Sequence, residues 1–195
     1  IDLLADMAAD GLCSVAISLT TLDARLKRLM EPRAASHQAR LAAIGSLSTA
    51  GIPVTVLFAP VIPALNDSDM EDILGQARDA GAQTAAYIML RLPLEIRDLF
   101  FQWLHEHYPL RAKRVISLLR QSRGGADNDS RFGHRMRGTG TFSDLLAQRF
   151  RLSCKRLGLN EREQNCSRTD LFEAPNPGRK KRESKDLIRQ VELFN

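Results

Sequence analysis

The chain has 195 residues, 44% of them hydrophobic and 26% charged, with 28 Lys and Arg against 23 Asp and Glu for a net charge of +5. That length allows one domain with a sizeable core, or a domain and a tail, and no apolar run approaches the roughly 20 residues needed to cross a bilayer. The three cysteines, Cys13, Cys154 and Cys166, match no disulfide or zinc spacing, and no cationic, then apolar, then small-residue leader is visible, so a cytoplasmic protein with no membrane span is expected.

The first segment, IDLLADMAADG, places Leu3, Leu4, Met7 and Ala8 at helical spacing and stops at Gly11. An apolar strand, CSVAISL, follows, with Cys13 expected in the core. It runs out in three hydroxyls, Ser18, Thr20 and Thr21, before a short helix through Leu26, Leu29 and Met30. A longer helix is expected from an N-cap at Ser36, with Leu41, Ile44 and Leu47 facing inward and Gly51 closing it. The next strand, PVTVLFAPVI, is a near-continuous apolar run, as in strands buried on both faces of a parallel sheet. Asp67 or Ser68 should cap the following helix, with Glu71 three residues after Ser68 as in a capping box. The third strand is TAAYIML, and the helix IRDLFFQWLHEHY ends at Pro109. His105 and His107 lie two apart, share no helix face, and suit a helix C-terminus better than a metal.

Residues 1–110 therefore alternate helix and strand, the rhythm of a parallel sheet flanked by helices, and either a doubly wound sheet or a barrel fits it. Three such strands would leave an edge of unpaired backbone, which leads to the expectation that further strands precede Ile1. Residues 111–160 break the rhythm and form a basic helical extension. LRAKRVISLLRQSR is a basic amphipathic helix, and FSDLLAQRFRLSCKRLGL is another, with Phe142, Leu145, Leu146, Phe150 and Leu157 roughly on one side. Residues 161–195 read as a disordered basic tail.

Charge divides along the same line. Residues 1–110 hold 8 Lys or Arg against 13 Asp or Glu, whereas residues 111–195 hold 20 against 10. Such an asymmetry suits a polyanionic partner such as nucleic acid, although solvated helix faces produce it too. Between the two basic helices, Arg131, Arg135 and Arg137 are interleaved with Gly133, Gly138 and Gly140. Glycines let main-chain amides approach an oxyanion, and arginines clamp phosphate bidentately. At the strand ends, Ser18, Thr20, Asn66 and Arg91 gather hydroxyls, an amide and a guanidinium where βα folds carry chemistry. Each also has a plain structural role open to it. The last residues, QVELFN, place Gln190 ahead of Leu193 and Phe194, a pattern similar to the peptide by which bacterial DNA enzymes dock on the sliding clamp.

The segments AISLTTLDARLKRLMEPRA, GIPVTVLFAPVIPALND, YIMLRLPLEIRDLF and DSRFGHRMRGTG followed by AQRF together resemble radical SAM proteins, nearest the group related to spore photoproduct lyase and called DNA repair photolyase. The resemblance covers residues 1 to about 160. It implies an α/β fold, the C-terminal half of a radical SAM partial (β/α)6 TIM-type barrel, with these strands as four to six. It also implies S-adenosylmethionine, a [4Fe–4S] cluster, an electron donor and a 5′-deoxyadenosyl radical. Ser18, Thr20, Asn66 and Arg91 are then expected near S-adenosylmethionine, while Arg131, Arg135 and Arg137 face nucleic acid or phosphate. The C-x-x-x-C-x-x-C motif of the superfamily is absent from this sequence, so its cysteines are expected upstream of Ile1 and the chain alone should be inactive. A non-enzymatic basic module binding nucleic acid or the clamp, and an inactive truncated protein, are the alternatives that the residues leave open.

Overall fold

A computed structural model describes residues 1–127, 131, 134–161 and 168–171. Its elements in chain order are α1 (Asp2–Ala9), β1 (Val15–Ser18), α2 (Ala24–Met30), α3 (His37–Thr49), β2 (Val54–Val61), α4 (Met70–Asp79), β3 (Thr84–Met89), α5 (Ile96–His107), α6 (Pro109–Gln121) and α7 (Thr141–Leu157). The strands form one parallel sheet in the order β1-β2-β3. Ile17 lies opposite Val56, and Val56 opposite Ala85.

Side chains alternate across a strand, and here the two faces meet different fates. Val54, Val56 and Phe58 of β2 and Ala85, Tyr87 and Met89 of β3 are buried. They pack with Ile44 and Leu47 of α3, Met70, Ile73, Leu74 and Ala77 of α4, and Leu146, Phe150 and Cys154 of α7. Val15 and Ile17 of β1 and Leu4, Ala5 and Ala8 of α1 pack against that core. On the opposite face, Ala16 is exposed and Ser18, Thr55, Leu57, Thr84 and Ala86 are half-buried. That face is narrow-skinned and partly polar, and Thr55 and Thr84 share a hydroxyl hydrogen bond of 2.5 Å across it.

A second core lies beyond the C-terminal ends of the strands. Ile62 and Leu65 after β2 and Leu92 after β3 pack with Leu26 of α2, Leu104 of α5, and Ala112, Val115 and Leu119 of α6. The two basic helices thus contribute to the same cores as the sheet: α6 to the second and α7 to the first.

Several local expectations change. Cys13 lies ahead of β1, half-buried, with its thiol donating to the Leu4 carbonyl at 3.3 Å. The capping box does not form. A 3-10 turn, Asp67–Asp69, precedes α4, whose N-cap Asp69 makes no side-chain cap. Asp69 is instead drawn across to the loop after β1, and Glu71 is drawn to Arg149 on α7, where two guanidinium donors hold it at 2.9 and 2.7 Å. Charge-assisted pairs of this kind outcompete a single cap bond. Leu145 turns outward, 52% exposed, because the α7 face that meets the sheet runs through Leu146, Phe150 and Cys154.

Candidate functional site: the C-terminal rim of the sheet

Each hydroxyl at the end of β1 is tied to a different neighbour. Thr20 is buried, and its Oγ1 shares one proton between Glu31 Oε1 at 3.2 Å and the Ala59 carbonyl at 3.1 Å. Thr21 Oγ1 donates to Asp69 Oδ2 at 2.6 Å and accepts from the Asp23 amide at 3.0 Å. Asp69 Oδ2 also accepts from the Leu22 amide at 3.0 Å. Asp23 then caps α2 through its Oδ1, which accepts from the Arg25 and Leu26 amides.

Ser18 is arranged differently. Its carbonyl accepts from Arg40 Nη1 at 2.9 Å, and its Oγ accepts from the same nitrogen at 3.3 Å. A hydroxyl carries one donor besides its acceptor sites, so among the described residues the O–H of Ser18 is left to donate. Arg40 Nη2 in turn holds Glu31 Oε2 at 2.8 Å. A small recess beside this network is lined by Thr20, Thr21, Lys27, Glu31, His37 and Arg40, together with Leu19 and Ala35. Glu31 pairs with Arg40 there, and the Lys27 ammonium bonds the Ala34 carbonyl.

Asn66 is fully buried, and its side chain is spent on main chain. Nδ2 donates to the Thr20 carbonyl at 2.8 Å and the Pro60 carbonyl at 2.9 Å, and Oδ1 accepts from the Ile62 amide at 2.7 Å. It therefore locks the exits of β1 and β2 to each other. Arg91 lies just past β3, half-buried, and its buried Nε has no hydrogen-bond partner. The structure thus brings Ser18, Thr20, Asn66 and Arg91 to one rim of the sheet, with Thr20 and Asn66 directly joined.

The arginine-bearing segment meets the same rim from the outer side of β3. The Met89 amide donates to the Met136 carbonyl at 2.8 Å. Arg123, only 3% exposed, donates to the carbonyls of His134, Arg135 and Leu90 at 3.2, 2.9 and 2.9 Å. The Arg137 guanidinium sits 5.2 Å from the centre of the Tyr87 ring. Burial is the main influence on the Tyr87 phenol and pushes its pKa up, against the opposing charge of Arg137. Arg135 and Arg137 are thereby placed at the edge of β3, and Arg131 is exposed. Gly133, Gln190, Leu193, Phe194 and Cys166 lie outside the described residues.

Farther along the rim, Ala64, Leu65, Asp67, Ser68, Leu110, Arg111 and Arg114 line an open groove of about 460 Å³. Leu110 stands 99% exposed on its lip. Sequence reasoning did not single out Arg40, Glu31, Asp69, Arg123 or Asn160. Each acts through partners distant in sequence, 22 residues for Arg40 with Ser18 and 75 for Asn160 with Ala85, so local pattern gave no signal. The one cue was Asn160 following the Gly158 C-cap, where Asn tolerates the left-handed conformation it adopts (φ 63°).

No group of three His, Cys, Asp or Glu among the described residues is placed to hold a metal ion. Burial pushes the Cys154 thiol up to about 11, far from the thiolate that binds iron. No helix among the described residues is long and apolar enough to cross a membrane.

The family model of the radical SAM superfamily matches residues 1–77. That stretch runs from α1 through β2 and most of α4. A mixed α/β chain with a three-stranded parallel sheet is compatible with part of the (β/α) fold of that superfamily. An uncharacterized protein of Mycobacterium tuberculosis and one of Mycobacterium bovis are each 36% identical over 121 residues, covering 61% of this chain and 36% of their own length. The chain thus spans little more than a third of the curated relatives it matches. No solved structure gives a significant match.

Proposed function

We propose that this chain is the C-terminal part of a radical SAM enzyme, supplying strands four to six of an incomplete barrel. The observation that carries the reading is the superfamily match over residues 1–77, which takes in β1 and the Ser18 network. Two features of the sheet support it. The face opposite the main core mixes Ala16, Ser18, Thr55, Thr84 and Ala86 with Leu57 and Ile88, and the outer edge of β1 pairs with no strand among the described residues. Further parallel strands on that edge would turn the open face inward.

S-adenosylmethionine fits the residues at the rim. The Ser18 O–H would donate to the cofactor, while Arg40 fixes Ser18 by donating to both its hydroxyl and its main-chain carbonyl oxygen. Thr20 and Asn66 would shape the floor, since their polar atoms bind main chain and keep the exits of β1 and β2 in register. The neighbouring apolar core excludes water beneath the site. A [4Fe–4S] cluster does not fit this chain's described residues, which offer no cysteine group for it. In this reading its ligands, and the electron donor that serves it, lie outside this chain, and the cofactor supplies radical chemistry that protein side chains only orient.

The finer assignment follows from charge. A nucleic-acid substrate, as in the spore photoproduct lyase-like group, suits the 20 Lys and Arg of residues 111–195, with Arg111 and Arg114 on the rim groove and Arg131, Arg135 and Arg137 near β3. Docking of a sliding clamp on Gln190, Leu193 and Phe194 is the corresponding partner proposal. The test is to reconstitute the full reading frame that carries this chain with iron and sulfide and to reduce it with S-adenosylmethionine present. The expected product is 5′-deoxyadenosine, diminished by Ser18→Ala. A well-formed cluster that yields none contradicts the reading.

A further inference from the structure

Among the described residues, Arg40, Arg149 and Arg123 leave water with their guanidinium groups spent on acceptors, and Arg91 does not. Arg40, with its side chain 16% exposed, holds Ser18 and Glu31. Arg149, at 30%, holds Glu71 and the Asp67 carbonyl. Arg123 holds three carbonyls. Arg91 is half-buried and its Nε is enclosed without an acceptor, and among the described residues it makes no ion pair. A guanidinium stays charged at any accessible pH and brings five donors in a rigid fork. Enclosing such a group unpaired is costly, and a buried donor without a partner calls for a ligand.

Its neighbours narrow what that ligand is. Two carboxylates near this loop are engaged elsewhere, Asp98 with Arg97 and Asp127 with Arg120, and Glu95, at the start of α5, makes no ion pair with Arg91 among the described residues. The adjoining residue, Leu90, is clasped through its carbonyl by Arg123, which also clasps His134 and Arg135. The 134–138 segment is thus held beside Arg91 by a buried cation. The hydroxyls of Ser122 and Ser143 are buried without partners, and Ser143 Oγ abuts Gly138 at the end of that segment, as do the Ser122 carbonyl and Cβ. Positive charge therefore gathers at the exit of β3, where Arg91 keeps an unspent donor.

We propose that Arg91 anchors an oxyanion site at the C-terminal end of β3, bordered by residues 134–138, and that it takes a phosphate group of the substrate. The fork accepts phosphate bidentately, with Arg135 and Arg137 raising the local potential. The same fork chemistry accepts a carboxylate, such as that of an amino-acid cofactor, so two probes separate the sources.

The experiment is calorimetric titration of the full 195-residue chain with inorganic phosphate, and separately with free methionine, at fixed ionic strength. Phosphate is expected to bind and methionine is not. Arg91→Gln should lower phosphate affinity about tenfold or more. Arg91→Lys, which keeps the charge and loses the fork, should fall between. Arg28→Gln, exposed on α2 and away from β3, should bind as the parent chain does. Absence of phosphate binding by the parent chain overturns the site, as does an Arg91→Gln variant that binds equally well. Methionine binding in place of phosphate assigns the fork to a carboxylate and overturns the proposal. Should Arg91→Gln fail to fold, undiminished phosphate affinity in Arg91→Lys overturns it. No cluster or S-adenosylmethionine enters the titration, so its failure leaves the radical SAM reading standing.

Discussion

Gly138 packs its bare Cα into a space with no room for a methyl group. A Cβ there would lie 2.7 Å from Ser143 Oγ and 2.9 Å from the Ser122 carbonyl, at a φ of +74°. The second neighbour is backbone and cannot swing aside. Gly138→Ala should destabilise the chain by about 2–4 kcal/mol, combining left-handed strain with overpacking. Gly75, inside α4, has nothing within 4 Å of its Cβ position, so Gly75→Ala should be neutral or stabilise by about 0.5–1 kcal/mol. Urea denaturation of the two variants reads both signs, and equal effects would refute the distinction. Single residues were the scale at which the sequence was least informative. Ser18, Thr20, Asn66 and Arg91 could be nominated from strand ends alone, yet their roles differ. Asn66 is saturated by main chain, whereas Ser18 keeps a donor and Arg91 keeps its Nε. Only the pairing of distant segments separates them.

At the scale of elements, α7 is fastened to α4 from both ends. Arg149 grips Glu71 with two donors and the Asp67 carbonyl with a third contact at 3.0 Å, and Arg78 Nε donates to the Leu157 carbonyl at 3.1 Å. Partial burial alone would raise the Glu71 pKa. The hydrogen bond from Arg149, the turn of its own backbone, and the charges of Arg149 and Arg156 outweigh that and hold it below 4.5. A carboxyl lowered by folding adds stability that is present above its ordinary value and is lost as pH falls through the lowered one. Glu71→Gln should therefore cost about 1 kcal/mol near pH 7, and the gap to the parent chain should narrow as pH falls through and below the ordinary carboxylate range. Melting curves from neutral to acid pH test it; a gap that does not narrow on acidification contradicts the pairing. The elements themselves were largely legible, because apolar alternation and glycine or proline stops place every helix and strand within a few residues. The failures were at helix starts. Asp67, Ser68 and Glu71 have the composition of a cap, but long-range partners on α7 and after β1 claim Asp69 and Glu71 first.

Across the whole molecule the sheet is asymmetric at its two margins. The outer side of β3 is closed by the chain itself. Asn160 pairs its side chain with the amide and carbonyl of Ala85 at 2.8 and 3.1 Å, its own amide reaches the Gln83 carbonyl, and Met136 takes the Met89 amide. On β1, alternation turns the main-chain groups of Ala16 and Ser18 outward, and of these the Ser18 carbonyl has a partner in Arg40. Among the described residues one margin of the sheet is closed by the chain itself and the other, along β1, pairs with no strand. The βα rhythm in the sequence foretold the parallel sheet, whereas the closure of β3 by Asn160 and residues near 136 was hidden, since it joins segments some 50 to 75 residues apart.

The proposal that bears most weight is that the Ser18 rim binds S-adenosylmethionine. The most direct measurement is amide hydrogen exchange on the reconstituted full-length protein, with and without S-adenosylmethionine. The account predicts slower exchange over residues 16–21 and 55–60 on adding the cofactor, with the amides of α3 and α4 unchanged. Unchanged exchange along those strand ends, with the cofactor bound, would contradict it.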